Sequence, residues 1–328
     1  MGGSSSGGGD QGAASGGSSS GSTTGGGAAA GTGDTTDAGT GGALAEAGGT
    51  ADAGGATASD AGGGSEGSTD DGGGIVTPDT KVVMYLPNWS GSFSSWANRI
   101  DYSKMTHLLL AFGTVSSGTN NWNMGAADSD VKALAAAAHA KNVKVLVSIG
   151  GASDDIGIIT RYQTQSNIAP LVANLDAFVT RLDLDGVDVD LERGADMKSS
   201  GNYPEFVKTL VSTFHPEGKL VTTALAQYIV QDAGGDAALT AVIDTFDFVN
   251  LMIYSTNMST YTNELNWWTT HTGIAKTKLT WGIEFTNQLS AATAKQITTA
   301  SKAYGGVMVW EYSQGSEPQL WPAVQSAL

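Results

Sequence analysis

The chain has no cysteine, which excludes disulfides and thiolate-held metals but does not exclude export. No apolar run reaches the ~18 residues of a membrane helix, so no transmembrane segment is expected. Lys and Arg form no cluster, and acids outnumber bases 32 to 16. Nucleic acid is therefore not an expected partner, since its binders carry a basic face. The four histidines, His107, His139, His215 and His271, show no metal-ligand spacing.

Residues 1–74 lack aromatic residues, Lys and Arg altogether and hold one leucine, Leu44. A segment built from Gly, Ser, Ala, Thr and Asp cannot bury enough apolar surface to offset the entropy of ordering it. It is expected to be a disordered tail or linker, extended by its scattered acids. Its nine acids leave −16 + 9 = −7 for residues 75–328. Met1-Gly2-Gly3-Ser4-Ser5-Ser6 fits the loose N-myristoylation pattern, which Gly/Ser-rich tails match by chance. The better expectation is an exported protein, secreted or tethered to a surface by this tail, such as a bacterial lipoprotein shown without its leader.

Residues 75–328 alternate apolar runs with helix-like stretches. Strands are expected at Lys81–Leu86, Thr106–Phe112, Lys144–Ile149, Gly186–Leu191, Leu220–Ala226, Phe246–Tyr254, Lys278–Ile283 and Gly306–Trp310. Helices are expected at Asp130–Lys141, Asn167–Arg181 and around Pro204–Phe214. Alternation of this kind implies right-handed βαβ units, and eight of them in ~250 residues imply an α/β fold closed as a (β/α)8 TIM barrel.

The sharpest feature is Asp185-Gly186-Val187-Asp188-Val189-Asp190-Leu191-Glu192. Alternate side chains of a strand share a face, so Asp188, Asp190 and Glu192 point one way and Val187, Val189 and Leu191 the other. The apolar set suits packing against helices, which turns the acids into the barrel. Neighbouring acids then lie about 6–7 Å apart. Three such carboxylates do not all ionise cheaply, so at least one pKa is expected to rise, as a general acid at neutral pH requires. Glu192 stands at the C-terminal strand end, where barrels place their chemistry. A divalent-metal site uses similar oxygen ligands, but no second acidic cluster at another strand end completes a shell; no metal is expected.

This run resembles the DGxDxDxE signature of family 18 glycoside hydrolases, the chitinases and endo-β-N-acetylglucosaminidases, at every fixed position. Ser148-Ile149-Gly150-Gly151 is similar to that family's SxGG element, and Met252-Ile253-Tyr254 to its MxY element. Trp310 resembles the tryptophan ending its eighth strand, and Tyr85-Leu86-Pro87-Asn88-Trp89 its first-strand aromatic element. Their order around one strong motif spans most of residues 75–328. One departure stands out: many members carry Asp directly after the MxY tyrosine, where this chain has Ser255. It bears on pH optimum and substrate preference.

The resemblance implies hydrolysis of β-1,4-N-acetylglucosamine linkages in chitin without a cofactor, by substrate assistance. It implies that Glu192 is acid then base and that Asp190 holds the acetamide N–H. It implies that Asp188 shares a proton with Asp190 and that Tyr254 orients the acetamide carbonyl. Trp310 is the implied sugar floor. Met252, Gln227, Tyr85 and Trp89 are expected to touch substrate. Ser148, Gly150, Gly151, Asp185 and Gly186 are expected to shape the site. Trp96, Trp122, Trp267 and Trp268 are further stacking candidates, since a pyranose face is apolar. A neutral sugar polymer suits the acidic charge, and a monomer is expected. The short stretch between the last two strands has room for one helix, which implies a shallow, open groove. Two other readings are a glycosidase acting on the chitobiose core of N-glycans, which uses the same motif, and a chitin-binding lectin on an inactive barrel, which usually lacks the final Glu of the motif.

Deleting residues 1–74 is expected to leave the melting temperature of the remainder nearly unchanged, because the segment offers no apolar face to dock. Thermal denaturation of the full and shortened chains checks this.

Overall fold

The computed structural model describes residues 80–116, 118–153, 155–193, 201–231, 236–285, 289–312 and 317–328. The expected tail lies outside them.

Strand β1 is Lys81–Pro87, β2 His107–Val115, β3 Trp122–Asn123, β4 Lys144–Gly150 and β5 Gly186–Asp190. They continue with β6 Leu220–Leu225, β7 Val249–Leu251, β8 Leu279–Glu284 and β9 Gly306–Trp310. Eight strands pair in parallel in the order β1-β9-β8-β7-β6-β5-β4-β2, and a further β1–β2 pairing closes the ring. Short β3 adds to β2 as an antiparallel hairpin. The fold is a (β/α)8 barrel, as the alternation implies.

Helices wrap the outside: α1 Phe93–Ala97, α2 Asp128–His139, α3 Asp155–Tyr162, α4 Ile168–Arg181 and α5 Tyr203–Phe214. Then come α6 Gln227–Gln231, α7 Asp236–Thr240, α8 Met258–Thr272, α9 Ala291–Ser301 and α10 Glu317–Ala327. Strand parity divides the core in two. Val82, Met84, Val145, Val147, Val187 and Val189 pack outward with helix residues such as Leu134, Leu171 and Phe206. Val83, Tyr85, Leu109, Leu146, Ala224 and Met308 fill the interior. The strands are thus covered on both faces, which is why they read as continuous apolar runs.

Two strands differ from expectation in ways that matter for the site. The expected strand Phe246–Tyr254 is paired only over Val249–Leu251, because the chain leaves the ladder and Tyr254 turns left-handed at φ 45°. The second strand runs on past Phe112 through a register shift between Ala111 and Gly113. That bulge brings Phe112 to the interior beside Ala111, a re-aiming that strict alternation does not give.

The barrel closes on a glycine. Gly306 opens β9 at φ 120°, and a Cβ there would lie 2.0 Å from the Lys81 carbonyl oxygen. Gly306→Ala is expected to destabilise the fold by about 2 kcal/mol or more, read as a lower urea midpoint at unchanged slope.

Candidate active site

The site grows from β5. Pairing sets Asp188 level with Ser148 on β4 and Thr222 on β6, and Asp190 level with Gly150 and Ala224. Asp188 is fully buried. Its Oδ2 accepts from Tyr85 Oη at 2.8 Å and Ser148 Oγ at 2.8 Å. Its Oδ1 accepts from Thr222 Oγ1 at 2.6 Å and Asn250 Nδ2 at 3.2 Å. The same amide donates to Tyr85 Oη at 3.1 Å, and its oxygen accepts from Thr280 Oγ1 at 2.8 Å. Burial pushes the Asp188 carboxyl upward, and the four donors oppose that rise. The expected upward shift thus falls on Asp188, the deepest acid, and burial is its main cause.

Above this layer, Asp190 and Glu192 line a cleft of about 500 Å³ with Trp89, Phe112, Gly150, Gly151, Met252, Tyr254, Glu284 and Trp310. Glycines let its walls approach. A Cβ at Gly150, φ 110°, would lie 2.1 Å from the Asp190 carbonyl oxygen. One at Gly151 would strike the Phe112 ring at 2.6 Å. That freedom lets Phe112 stack on Trp310 at 5.7 Å and 23°. Tyr85 meets the same indole edge-on at 5.6 Å. Trp89, 60% exposed, stands 6.2 Å from Trp310 and extends the aromatic wall outward. Opposite, the half-buried Tyr254 has its hydroxyl pushed well above the usual phenol range by desolvation, then by the charges of Asp190, Glu192 and Glu284. It remains a proton donor.

Several expected site residues sit elsewhere. Tyr85 does not line the cleft; it is buried beneath it as a donor to Asp188. Gln227 opens α6 beyond the end of β6 and is not on the cleft wall. Asp185 and Gly186 lie at the opposite, N-terminal mouth. There Asp185 holds His139 and Lys144, each at 2.7 Å, and the Val145 amide at 2.8 Å. The length of β5, Gly186–Asp190, separates Asp185 from Glu192, so Asp185 and Gly186 shape the barrel bottom. Trp96, Trp122 and Trp268 are core residues, and Trp267 stacks on His271 along α8. Ser255 accepts from the Asn257 amide at 3.0 Å, at the entry to α8.

Phe112 and Glu284 line the cleft without having been expected there. An acid ending Leu279–Glu284 was visible as a signal; the bulge that turns Phe112 inward was not. Among the described residues, no group of three His, Asp or Glu side chains could hold a metal ion.

Thr222→Val removes one hydrogen-bond donor to Asp188 and is expected to lower stability by about 1–3 kcal/mol at neutral pH. The sign with pH follows from the raised carboxyl. Stability from a raised group is present at low pH and declines as pH rises through its folded value. Losing the Thr222 donor raises that value further, so the gap between wild type and variant should widen with pH. Urea unfolding at pH 4 and pH 8 measures it; a gap larger at pH 4 would contradict an ionised Asp188.

The profile of the family described as Glycosyl hydrolases family 18 matches residues 81–296. Chitinase 2 of Rhizopus oligosporus is 28% identical over 249 residues, covering 65% of this chain and 42% of that protein. A chitinase-like effector of Moniliophthora perniciosa is 30% identical over 127 residues, covering 38% of this chain and 28% of that protein. The chain therefore spans less than half the length of either relative. The GH18 chitinase ChiB of Flavobacterium johnsoniae superposes with TM-score 0.62 at 22% identity, over 76% of this chain and 94% of that one. A chitinase of Bacteroides thetaiotaomicron gives 0.62 at 18% identity, over 76% and 96%. These structural likenesses speak for the fold. With the family profile covering well over half of its residues, this chain belongs to glycoside hydrolase family 18.

Proposed function

We propose that this chain hydrolyses β-1,4 linkages between N-acetylglucosamine units of chitin or chito-oligosaccharides, at internal bonds and with retention of configuration. The observation that carries the reading is the ascending file of acids. Asp188 is sealed in the barrel, Asp190 is buried at the cleft floor, and Glu192 is half-exposed beside an aromatic wall.

Glu192 protonates the glycosidic oxygen, and the leaving sugar departs. The carbonyl oxygen of the substrate's own 2-acetamido group attacks the anomeric carbon and closes an oxazolinium ring. Asp190 accepts from the acetamide N–H and balances the positive ring. Tyr254 donates to the acetamide oxygen and holds it in attack geometry. Water then opens the ring while Glu192 takes its proton. This family is an exception to the two-carboxylate rule of retaining glycosidases. Asp188 acts through Asp190, sharing a proton with it from beneath. Trp310 and Phe112 offer apolar faces to the sugar, and Trp89 extends the platform to a neighbouring unit.

Internal cleavage is supported by the linkage between β8 and β9, where the described residues form only the helix α9. A cleft without a tall wall admits a chain from the side. Export is supported by the composition of residues 1–74, which suits a tether. Among the described residues no helix is long and apolar enough to cross a membrane.

Glu192→Gln is expected to cut turnover on a chitin oligomer by roughly 10²–10⁴-fold while the far-ultraviolet circular dichroism is preserved. Glu284 also faces the cleft, so the nucleophile needs its own test. Proton NMR of fresh product should show the β-anomer first, and cello-oligomers, which lack the acetamide, should be inert. An α-anomer first, or cello-oligomers cut at a comparable rate, would sink substrate assistance.

A further inference from the structure

The donors around Asp188 decide where the proton it shares with Asp190 rests. Three of the four are hydroxyls, on Tyr85, Ser148 and Thr222. A hydroxyl can donate or accept, so each can turn to suit a carboxylate or a carboxylic acid. The fourth is the amide of Asn250, whose nitrogen can only donate. Asn250 is fully buried. Its Nδ2 spends one hydrogen on Asp188 Oδ1 at 3.2 Å and the other on Tyr85 Oη at 3.1 Å. The second bond makes the phenol oxygen an acceptor on that side and leaves its proton for Asp188 Oδ2. One amide therefore sets the direction of two of the four bonds.

The amide is itself held. Thr280 on β8, level with Asn250 in the ladder, donates its hydroxyl to Asn250 Oδ1 at 2.8 Å. Turned over, the amide would set its oxygen against Asp188 Oδ1, where only a protonated carboxyl could meet it. The orientation found favours an ionised Asp188. Few titratable groups surround that carboxylate. From β1, Tyr85 is pushed well above the phenol range by burial, then by the charges of Asp188 and Asp190, and it stays a donor. Asp190 stands above on the same strand, and Tyr254 beyond the end of β7. His107, at the N-terminal mouth, is held down to about 4 by burial and is neutral near pH 7. Ser148, Thr222 and Thr280 from β4, β6 and β8 do not titrate, and β9 contributes the apolar Met308.

We propose that Asn250 is a positioning residue for the hydrolysis: it fixes the donor direction of the Asp188 network and so sets how the proton is divided between Asp188 and Asp190. The inference rests on the hydrolase reading. The oxazolinium ring needs one negative charge beneath it. A donor that cannot turn into an acceptor keeps that charge on the pair down to lower pH. The two acids titrate together, and the first proton lost from the pair opens the acid limb of kcat/KM.

Asn250→Leu removes the donor without adding charge. Thr280→Val removes the hydroxyl that holds the amide, and Thr280→Ser restores it. Turnover of a chitin oligomer is measured across pH for each. The acid limb of kcat/KM should move up by about one pH unit in Asn250→Leu and by less in Thr280→Val. It should keep its wild-type position in Thr280→Ser. The basic limb, set by the proton on Glu192, should stay in place. Looser packing alone would lower the plateau at every pH and move neither limb. An acid limb unmoved in Asn250→Leu, or moved as far in Thr280→Ser as in Thr280→Val, overturns the proposal. Should Asn250→Leu fail to fold, an unmoved limb in Thr280→Val overturns it. If wild type cleaves no chitin oligomer at any pH, the hydrolase reading fails instead. Urea unfolding then reads the same proton. The stability gap between wild type and Asn250→Leu should widen from pH 4 to pH 8, because the variant's Asp188 carboxyl is raised further. An equal gap overturns the role given to Asn250.

Discussion

A carboxylate at the centre of a closed barrel is tolerable only when its lone pairs are met by donors. Asp188 is such a group, and its four donors come from β1, β4, β6 and β7. No single βα unit can satisfy it; the barrel has to close first. Register is fixed by the same demand. On β6, Thr222 faces Asp188, while its neighbour Thr223 turns away and donates to the Val189 carbonyl at 2.7 Å. A slip of one residue on that strand would turn Val221 from the outer, helix-facing core into the barrel interior.

From that anchored layer the acids rise through different environments. Asp188 is fully buried among four donors, Asp190 sits at the cleft floor, and Glu192 reaches the cleft. Equal chemistry placed at three depths gives groups in different environments, as the division of labour in the proposed mechanism requires. The neighbouring glycines serve this placement. Gly150 lets β4 lie against the Asp190 backbone, and the Gly151 amide donates to the Asp190 carbonyl at 2.7 Å.

The strands and the inward face of β5 were legible because both depend on local period: an apolar run with an alternating acid set admits few other readings. Depth was not legible. Tyr85 has inward parity but lies a layer below the cleft, and no pattern within β1 reveals how far the barrel staggers its neighbours. Asp185 and Glu192 belong to one short motif, yet the motif extends past both ends of β5 and its own ends emerge at opposite mouths. Asn250 carried a faint signal, as a polar residue inside Phe246–Tyr254 at the parity of Met252 and Tyr254. Its partners on β1, β5 and β8 are tertiary facts. Phe112 escaped because a bulge changes parity locally, and Gln227 because β6 ends two residues before it.

The cleft is divided in polarity. Trp89, Phe112 and Trp310, from the β1, β2 and β9 side, form an apolar wall; Asp190, Glu192, Tyr254 and Glu284, from β5, β7 and β8, form a polar one. A pyranose has the same division, with C–H faces and a rim of hydroxyl and amide groups. Stacking fixes the plane of the ring but leaves it free to turn about its normal. The polar wall removes that freedom, because its donor Tyr254 and its acceptors stand at different strand ends and can be met together in few orientations. Tyr254 holds its place through a left-handed backbone, φ 45°, which a residue of this size adopts only under constraint from its surroundings. The constraint is visible in the packing: the ring lies over Gly282, where any side chain would collide with the Leu251 carbonyl at 2.2 Å. The placement of Tyr254, on which the proposed orientation of the sugar depends, thus traces back, through one ring and one glycine, to the spacing of β7 and β8.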